Sequence, residues 1–141
     1  MGIGKRLKDN NPSSKIIALE PSTLSILKMG MEEGSHLIEG IGDDFIPGIV
    51  EKDLIDDIVL IDDCDAINMS KRIAKEFGLG IGISSGANFL ASVLVDNDDF
   101  TIATVFPDDN KKYITTRLSE EIDENPKLLS NKVKLIDFEV I

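Results

Sequence analysis

The chain is 141 residues long, 42% hydrophobic and 29% charged, the balance of a soluble globular domain with a real core and not of a disordered segment. A net charge of −11 repels phosphates and excludes a nucleic-acid or anionic-membrane surface, and six Phe, one Tyr and no Trp offer no stacking platform for single strands. A lone cysteine, Cys64, and a lone histidine, His36, exclude an intrachain disulfide, a cysteine-based metal cluster and a nucleophile–histidine pair built from several candidates.

Residues 1–11 read as a helix with Leu7 turned inward and Asn10-Asn11-Pro12 as its stop. Lys5, Arg6 and Lys8 follow Met1 where a secretory signal would be apolar, and no apolar run approaches the roughly 20 residues of a membrane span. A cytoplasmic protein is expected. Lys15–Glu20 reads as a short strand closed by Pro21, and Ser22 as the cap of a short helix reaching Met29. Residues 30–47 are glycine-rich and irregular, 52–57 a polar connection, and Ile58–Ile61 a second buried strand.

The clearest helix is Asp63–Phe77. Ala66, Ile67, Met69, Ile73, Ala74 and Phe77 share one face, and Gly78 is placed to cap its end. Ser84 or Ser85 begins another helix that ends near Asp96-Asn97. Thr101–Phe106 is a continuous apolar run and reads as a third strand; 111–120 suits a helix, 121–131 a loop, and 133–141 an extended edge using Val133, Leu135, Ile136, Phe138 and Val140. Apolar strands alternating with helices predict one α/β domain over residues 1–141, three-layered with a mainly parallel sheet.

In such sheets ligands gather beyond the carboxyl ends of the strands, so two segments stand out. Gly80–Asn88 feeds a helix start, where Ser84, Ser85 and Gly86 offer free N–H groups and a positive dipole to an anion. The plain structural alternative is that Ser84 is an N-cap and Gly86 a packing glycine. Phe106–Tyr113 follows the third strand and carries Asp108 and Asp109. A third segment, 36–47, reads His-Leu-Ile-Glu-Gly-Ile-Gly-Asp-Asp-Phe-Ile-Pro, with His36 expected to pack or hydrogen-bond within its loop. Cys64 reads as structural, and the acids Asp56, Asp57, Asp62, Asp63 and Asp65 as turn and cap residues without the spacing of a calcium loop.

In this order, the three segments resemble the C-terminal half of the cysteine synthase family, which includes cystathionine β-synthases, from about Gly2 to Thr116. The resemblance implies the tryptophan-synthase-β-like fold, pyridoxal phosphate as cofactor and β-replacement on an activated serine by sulfide or a thiol. It implies cofactor contacts at Gly40, Ile41, Gly42, Ser84, Ser85, Gly86 and at Asp108 or Asp109. Those two acids stand where the family carries a serine that meets the pyridine nitrogen, and a carboxylate there would favour a protonated ring. The family's Schiff-base lysine and Gly-Thr-Gly-Gly-Thr phosphate loop have no counterpart in this chain. The expectation is therefore a part of an enzyme, inactive alone, that pairs with the missing N-terminal half or self-associates, taking an amino-acid substrate when complemented. The alternative is a pseudoenzyme or regulatory module that binds a metabolic enzyme.

Overall fold

The computed structural model describes residues 1–31, 33–96 and 99–139; Asn97 and Val140, which the sequence placed at a helix end and on an edge, lie outside the described residues. Its centre is a two-stranded parallel sheet, β1 (Ile17–Pro21) and β2 (Asp57–Ile61), in the register Ile17–Asp57 to Pro21–Ile61. Asp56 sets that register at the entry end. Its carboxylate accepts the Ile16 N–H at 2.7 Å and pairs with Lys8 Nζ at 2.7 Å, and the Lys8 hydrogen bond, then Ile16, hold it below the ordinary carboxylate range.

Helix α1 (Gly2–Asn10) precedes the sheet and ends at Asn11 as the asparagine–proline pair dictates. Its inner residue is Gly4, not Leu7. A side chain at Gly4 would stand 3.1 Å from Ile16, so the helix approaches β1 through its backbone, and Leu7 is left 44% exposed. Helix α2 (Ile26–Met29) is a single turn that starts after Ser25 instead of Ser22. The reason is Glu20, a 7% exposed carboxylate that accepts from Ser25 Oγ and from the N–H groups of Leu27 and Lys28, capping the turn from the neighbouring strand.

Helix α3 (Asp63–Phe77) forms as its pattern requires: Asp62 accepts the Cys64 N–H at its start, and Gly78 closes it at φ 71. Ala66, Ile67, Met69 and Ile73 are buried against α4 (Ile83–Val95), β2 and the loop residue Ile38. The two helices touch at Gly86, where a Cβ would collide with Ser70 Oγ and the Ala66 carbonyl. Ser70 in turn donates to Gly82 O at 2.9 Å, fastening the start of α4 to the middle of α3. Helix α4 starts one residue before Ser84, with Gly82 at the N-cap and no side-chain cap.

The parallel α/β arrangement is as expected, but the third strand is not formed. Residues 101–106 bond to no neighbouring strand, and all are exposed. Their apolar run is strand-like, yet a ladder needs a partner, and among the described residues none pairs with them. The helix expected over 111–120 is replaced by two 3₁₀ turns, Asn110–Tyr113 and Arg117–Ser119, because Asp109 and Thr116 each cap a new turn with their own side chains. Beyond the loop, α5 (Leu129–Lys132) is one turn, and residues 133–139 form no ladder; Phe138 meets Phe77 edge-on at 5.2 Å while Ile136 stays 81% exposed.

The C-terminal segment is moored by one residue of α3. Asn68, 2% exposed, donates to Asp123 O, Ser130 Oγ and Asn131 Oδ1 and accepts the Asp123 N–H. Asp65 adds the Ser130 N–H, and Arg72 reaches the carbonyls of Ser130 and Val133. Thus the acids at the head of α3 act as tethers between segments as well as caps.

Candidate functional site at the carboxyl ends of the strands

The loop after α2 returns to the end of β1 through a few contacts. Leu37 N–H donates to Asp63 Oδ2 at 2.8 Å, Ile38 is fully buried in the core, and His36 Nε2 hydrogen-bonds Gly42 O at 2.8 Å. His36 is therefore a hydrogen-bonding residue of its loop, as its setting suggested. Its Nδ1 and Asp63 Oδ1 are buried without a hydrogen-bond partner among the described residues, and burial is the main cause that raises the Asp63 pKa, against the Leu37 N–H and the imidazole.

Gly40 and Gly42 both adopt positive φ, 88° and 70°, but they face different surroundings. A Cβ on Gly42 would lie 2.7 Å from Pro21 Cγ and 2.8 Å from His36 Nε2, so this glycine packs the loop onto β1. A Cβ on Gly40 would meet no protein atom within 4 Å. Its backbone borders open space.

The second and third segments are one unit. Residues 80–82 and 108–110 pair antiparallel through Gly82 N to Asp108 O and Asn110 N to Gly80 O, both 3.0 Å, with a bridge at Ile81 and Asp109. A side chain at Gly82 would run into the Asp108 carboxylate that Tyr113 holds, and one at Gly80 would stand 2.7 Å from Asn110 Oδ1. Asp108 turns inward. Its Oδ2 accepts the Tyr113 hydroxyl at 2.5 Å, and its Oδ1 lies 3.5 Å from Ser85 Oγ, beside the positive start of α4. Burial first, and then Asp108, raise the Tyr113 pKa.

Asp109 turns outward. One oxygen caps the Lys111 N–H at 2.9 Å, and the other is 3.6 Å from the ammonium of Lys111, whose side chain is 82% exposed. Lys112 pairs with Glu39 at 3.3 Å and lies 5.2 Å over the Tyr113 ring, so it joins the glycine loop to the 108–113 segment; the Glu39 contact is the main cause that raises its pKa.

The structure thus brings Gly40, Ile41, Gly42, Ser85, Asp108 and Asp109 to one end of the sheet. Ser84 and Ser85 are 6% and 0% exposed, and Gly86 is the helix-contact glycine described above, so these three back the site from inside. The start of α4 already faces an internal anion, Asp108. Tyr113 and the Glu39–Lys112 pair carried no assignment from the sequence; the signal available was the only tyrosine in the chain, five residues after an acid. Cys64 is half-buried in the first turn of α3, with no group of three metal-binding side chains among the described residues. Among the described residues no helix is long and apolar enough to cross a membrane.

The family profile of the pyridoxal-phosphate-dependent enzymes matches residues 1–106. Cysteine synthase B of Campylobacter jejuni is 43% identical over 119 residues, which are 83% of this chain and 39% of that protein. Cysteine synthase of Staphylococcus aureus is 38% identical over 120 residues, 83% of this chain and 38% of that one. Among solved structures, a hydrogen sulfide-producing enzyme of Fusobacterium nucleatum superposes with a TM-score of 0.90 at 46% identity, covering 99% of this chain and 42% of that chain. The cysteine synthase of Entamoeba histolytica superposes with a TM-score of 0.83 at 35% identity, covering 93% of this chain and 40% of that chain. The chain spans about two fifths of the length of the curated relatives it matches.

Proposed function

The chain belongs to the family of pyridoxal-phosphate-dependent enzymes, and on that premise we propose that it forms one wall of a cysteine-synthase-type site for β-replacement on serine or O-acetylserine. The observation that carries this reading is the convergence of the Gly40–Gly42 loop and the Asp108–Tyr113 segment at the carboxyl ends, joined by Glu39 and Lys112. Bound there, pyridoxal phosphate would supply an electron sink for chemistry at the α-carbon of an amino acid.

The residues present fit the ring of that cofactor and not its phosphate. Gly40 leaves room for a planar group against its backbone, and Asp109 is an exposed carboxylate able to accept a hydrogen bond from a protonated ring nitrogen. Asp108 is turned away from that role, because its carboxylate packs on Gly82 and accepts the hydroxyl of the buried Tyr113. It also excludes a phosphate from the start of α4 by like charge. Lys111 and Lys112 face Asp109 and Glu39, so the lysine and the phosphate cradle come from polypeptide outside these 141 residues in this reading.

Titration of the complemented protein with pyridoxal phosphate tests the assignment, followed by absorbance and by the 15N resonance of ring-labelled cofactor. Asp109→Ala is expected to weaken binding by about tenfold, or about 1.4 kcal/mol, and to shift the ring nitrogen toward its unprotonated resonance. Unchanged affinity and an unchanged resonance would remove Asp109 from the site.

A further inference from the structure

Among the described residues, two buried side-chain atoms lack a hydrogen-bond partner: His36 Nδ1 and Asp63 Oδ1. They belong to one neighbourhood. Asp63, the first residue of α3, accepts the Leu37 N–H through its other oxygen at 2.8 Å, one residue along from His36. The imidazole is itself among the groups whose charge acts on this carboxyl.

The chemistry of the two atoms decides what joins them. His36 Nε2 is 2.8 Å from the Gly42 carbonyl, which only accepts, so Nε2 carries a hydrogen. In a neutral ring Nδ1 is then a bare lone pair, and an ionised Asp63 Oδ1 is another. Two buried acceptors without a donor are costly, and one hydrogen satisfies both. In ordinary solution an imidazole is more basic than an aspartate by roughly two to three pH units, so that hydrogen goes to Nδ1. We propose that Asp63 holds His36 doubly protonated, with Nε2 donating to Gly42 and Nδ1 to Asp63 Oδ1, and that this proton fastens the glycine loop to the head of α3.

The other charged groups around Asp63 do not fill its open oxygen. Asp62, at the cap of α3, is an acid that opposes ionisation of Asp63 and is engaged with the Cys64 N–H. Arg117, from the 3₁₀ turn packed on α3, acts on Asp63 through space but turns toward Glu120 at 3.7 Å with its side chain 51% exposed. Within the loop, Glu39 is paired with Lys112, and Asp43 and Asp44 follow Gly42 as further acids that favour a charged ring. On its Nε2 side the ring abuts Gly42, where a Cβ would stand 2.8 Å from Nε2 and 2.7 Å from Pro21 Cγ. The ring therefore acts on the loop exactly where the backbone turns at positive φ, two residues after the open Gly40. His36 is a positioning residue, and its proton makes the loop pH-sensitive. The stability it gives is present in full below the unfolded imidazole value, about 6.5, and is lost as pH rises through the folded one.

The test uses the whole chain labelled with 15N in its single histidine, so that every ring signal is His36. The second ring proton is expected to bind about tenfold more tightly in the folded chain than in the same chain in urea, and the Leu37 amide signal to move with the same midpoint. Asp63→Asn keeps an acceptor for the Leu37 N–H and offers its amide to Nδ1, so it should remove that tenfold gain. His36→Gln keeps a donor toward Gly42 and does not titrate, so the Leu37 signal should lose its pH dependence. The proposal is overturned if Nδ1 takes its proton no more tightly folded than in urea, if Asp63→Asn titrates like the parent, or if the Leu37 amide does not follow the ring. The parent comparison with urea decides the matter even where a variant fails to fold, and none of these outcomes depends on a bound cofactor.

Discussion

Tyr113 donates its hydroxyl to Asp108 Oδ2 at 2.5 Å from a position only 1% exposed, making the sole tyrosine of the chain the support of the acid that packs on Gly82. The pair keeps one of two adjacent carboxylates inside and leaves Asp109 at the surface. Which acid is left at the surface is thus decided by a phenol five residues away.

Replacing Tyr113 by Phe removes the donor and leaves a partly buried carboxylate oxygen unpaired, so a loss of about 1–2 kcal/mol is expected in urea unfolding. The tyrosine also imposes a pH dependence. Its folded pKa is raised above the ordinary value of 10.0 by burial and by Asp108. The stability it contributes is therefore fully present below the unfolded pKa and is lost as pH rises through the folded one. Denaturation midpoints measured across the alkaline range should fall for the parent chain and flatten for Tyr113→Phe.

Gly42→Ala and Gly40→Ala should separate packing from ligand access. At Gly42 the new methyl meets Pro21 and His36 within 2.8 Å at a φ of 70°, and a loss on the order of 2–4 kcal/mol is expected. Gly40 has open space, so its alanine variant suffers backbone strain alone, about 1 kcal/mol in a thermal melt. In the complemented protein, Gly40→Ala should nonetheless weaken pyridoxal phosphate binding, whereas equal melts for the two variants would contradict the distinction.

The contact between Gly82 and the Asp108 carboxylate predicts non-additive behaviour. Gly82→Ala drives its methyl into the acid and should break the pairing of 80–82 with 108–110. Trimming the acid in Gly82→Ala/Asp108→Ala relieves the collision, so the double variant should be more stable than the two single losses sum to, by about 1 kcal/mol or more. A double-mutant cycle in urea measures this directly.

Asn68→Ala should release the C-terminal segment without unfolding α3. Four hydrogen bonds to Asp123, Ser130 and Asn131 are lost together, while the apolar face of the helix is untouched. Amides of 123–133 are expected to exchange markedly faster, with those of 66–73 unchanged apart from the global loss of about 2–4 kcal/mol. Uniform acceleration across both would show that the segment and the helix unfold as one.

The local elements were legible where their signals were local. Helix α3 carries its own cap in Asp62, its own stop in Gly78 and an unbroken apolar face, so no distant residue was needed to place it. The glycine loop and the Asp108–Tyr113 segment could be recognised by residue order alone. What the residues could not reveal was which of them meet. Leu7 and Gly4 exchange roles because a backbone approach to Ile16 favours the residue without a side chain. Thr101–Phe106 is strand-like in composition, yet strand formation is a property of a pair, and its partner is not among the described residues. Asp108 and Asp109 are adjacent and chemically alike, and only the fold, by placing Tyr113 and Ser85 on one side and solvent on the other, makes one a support and leaves the other at the surface. Propensity, capping and glycine geometry act within a few residues and are written in the chain; pairing, burial and the direction of a carboxylate depend on distant segments arriving together, and those the tertiary structure alone decided.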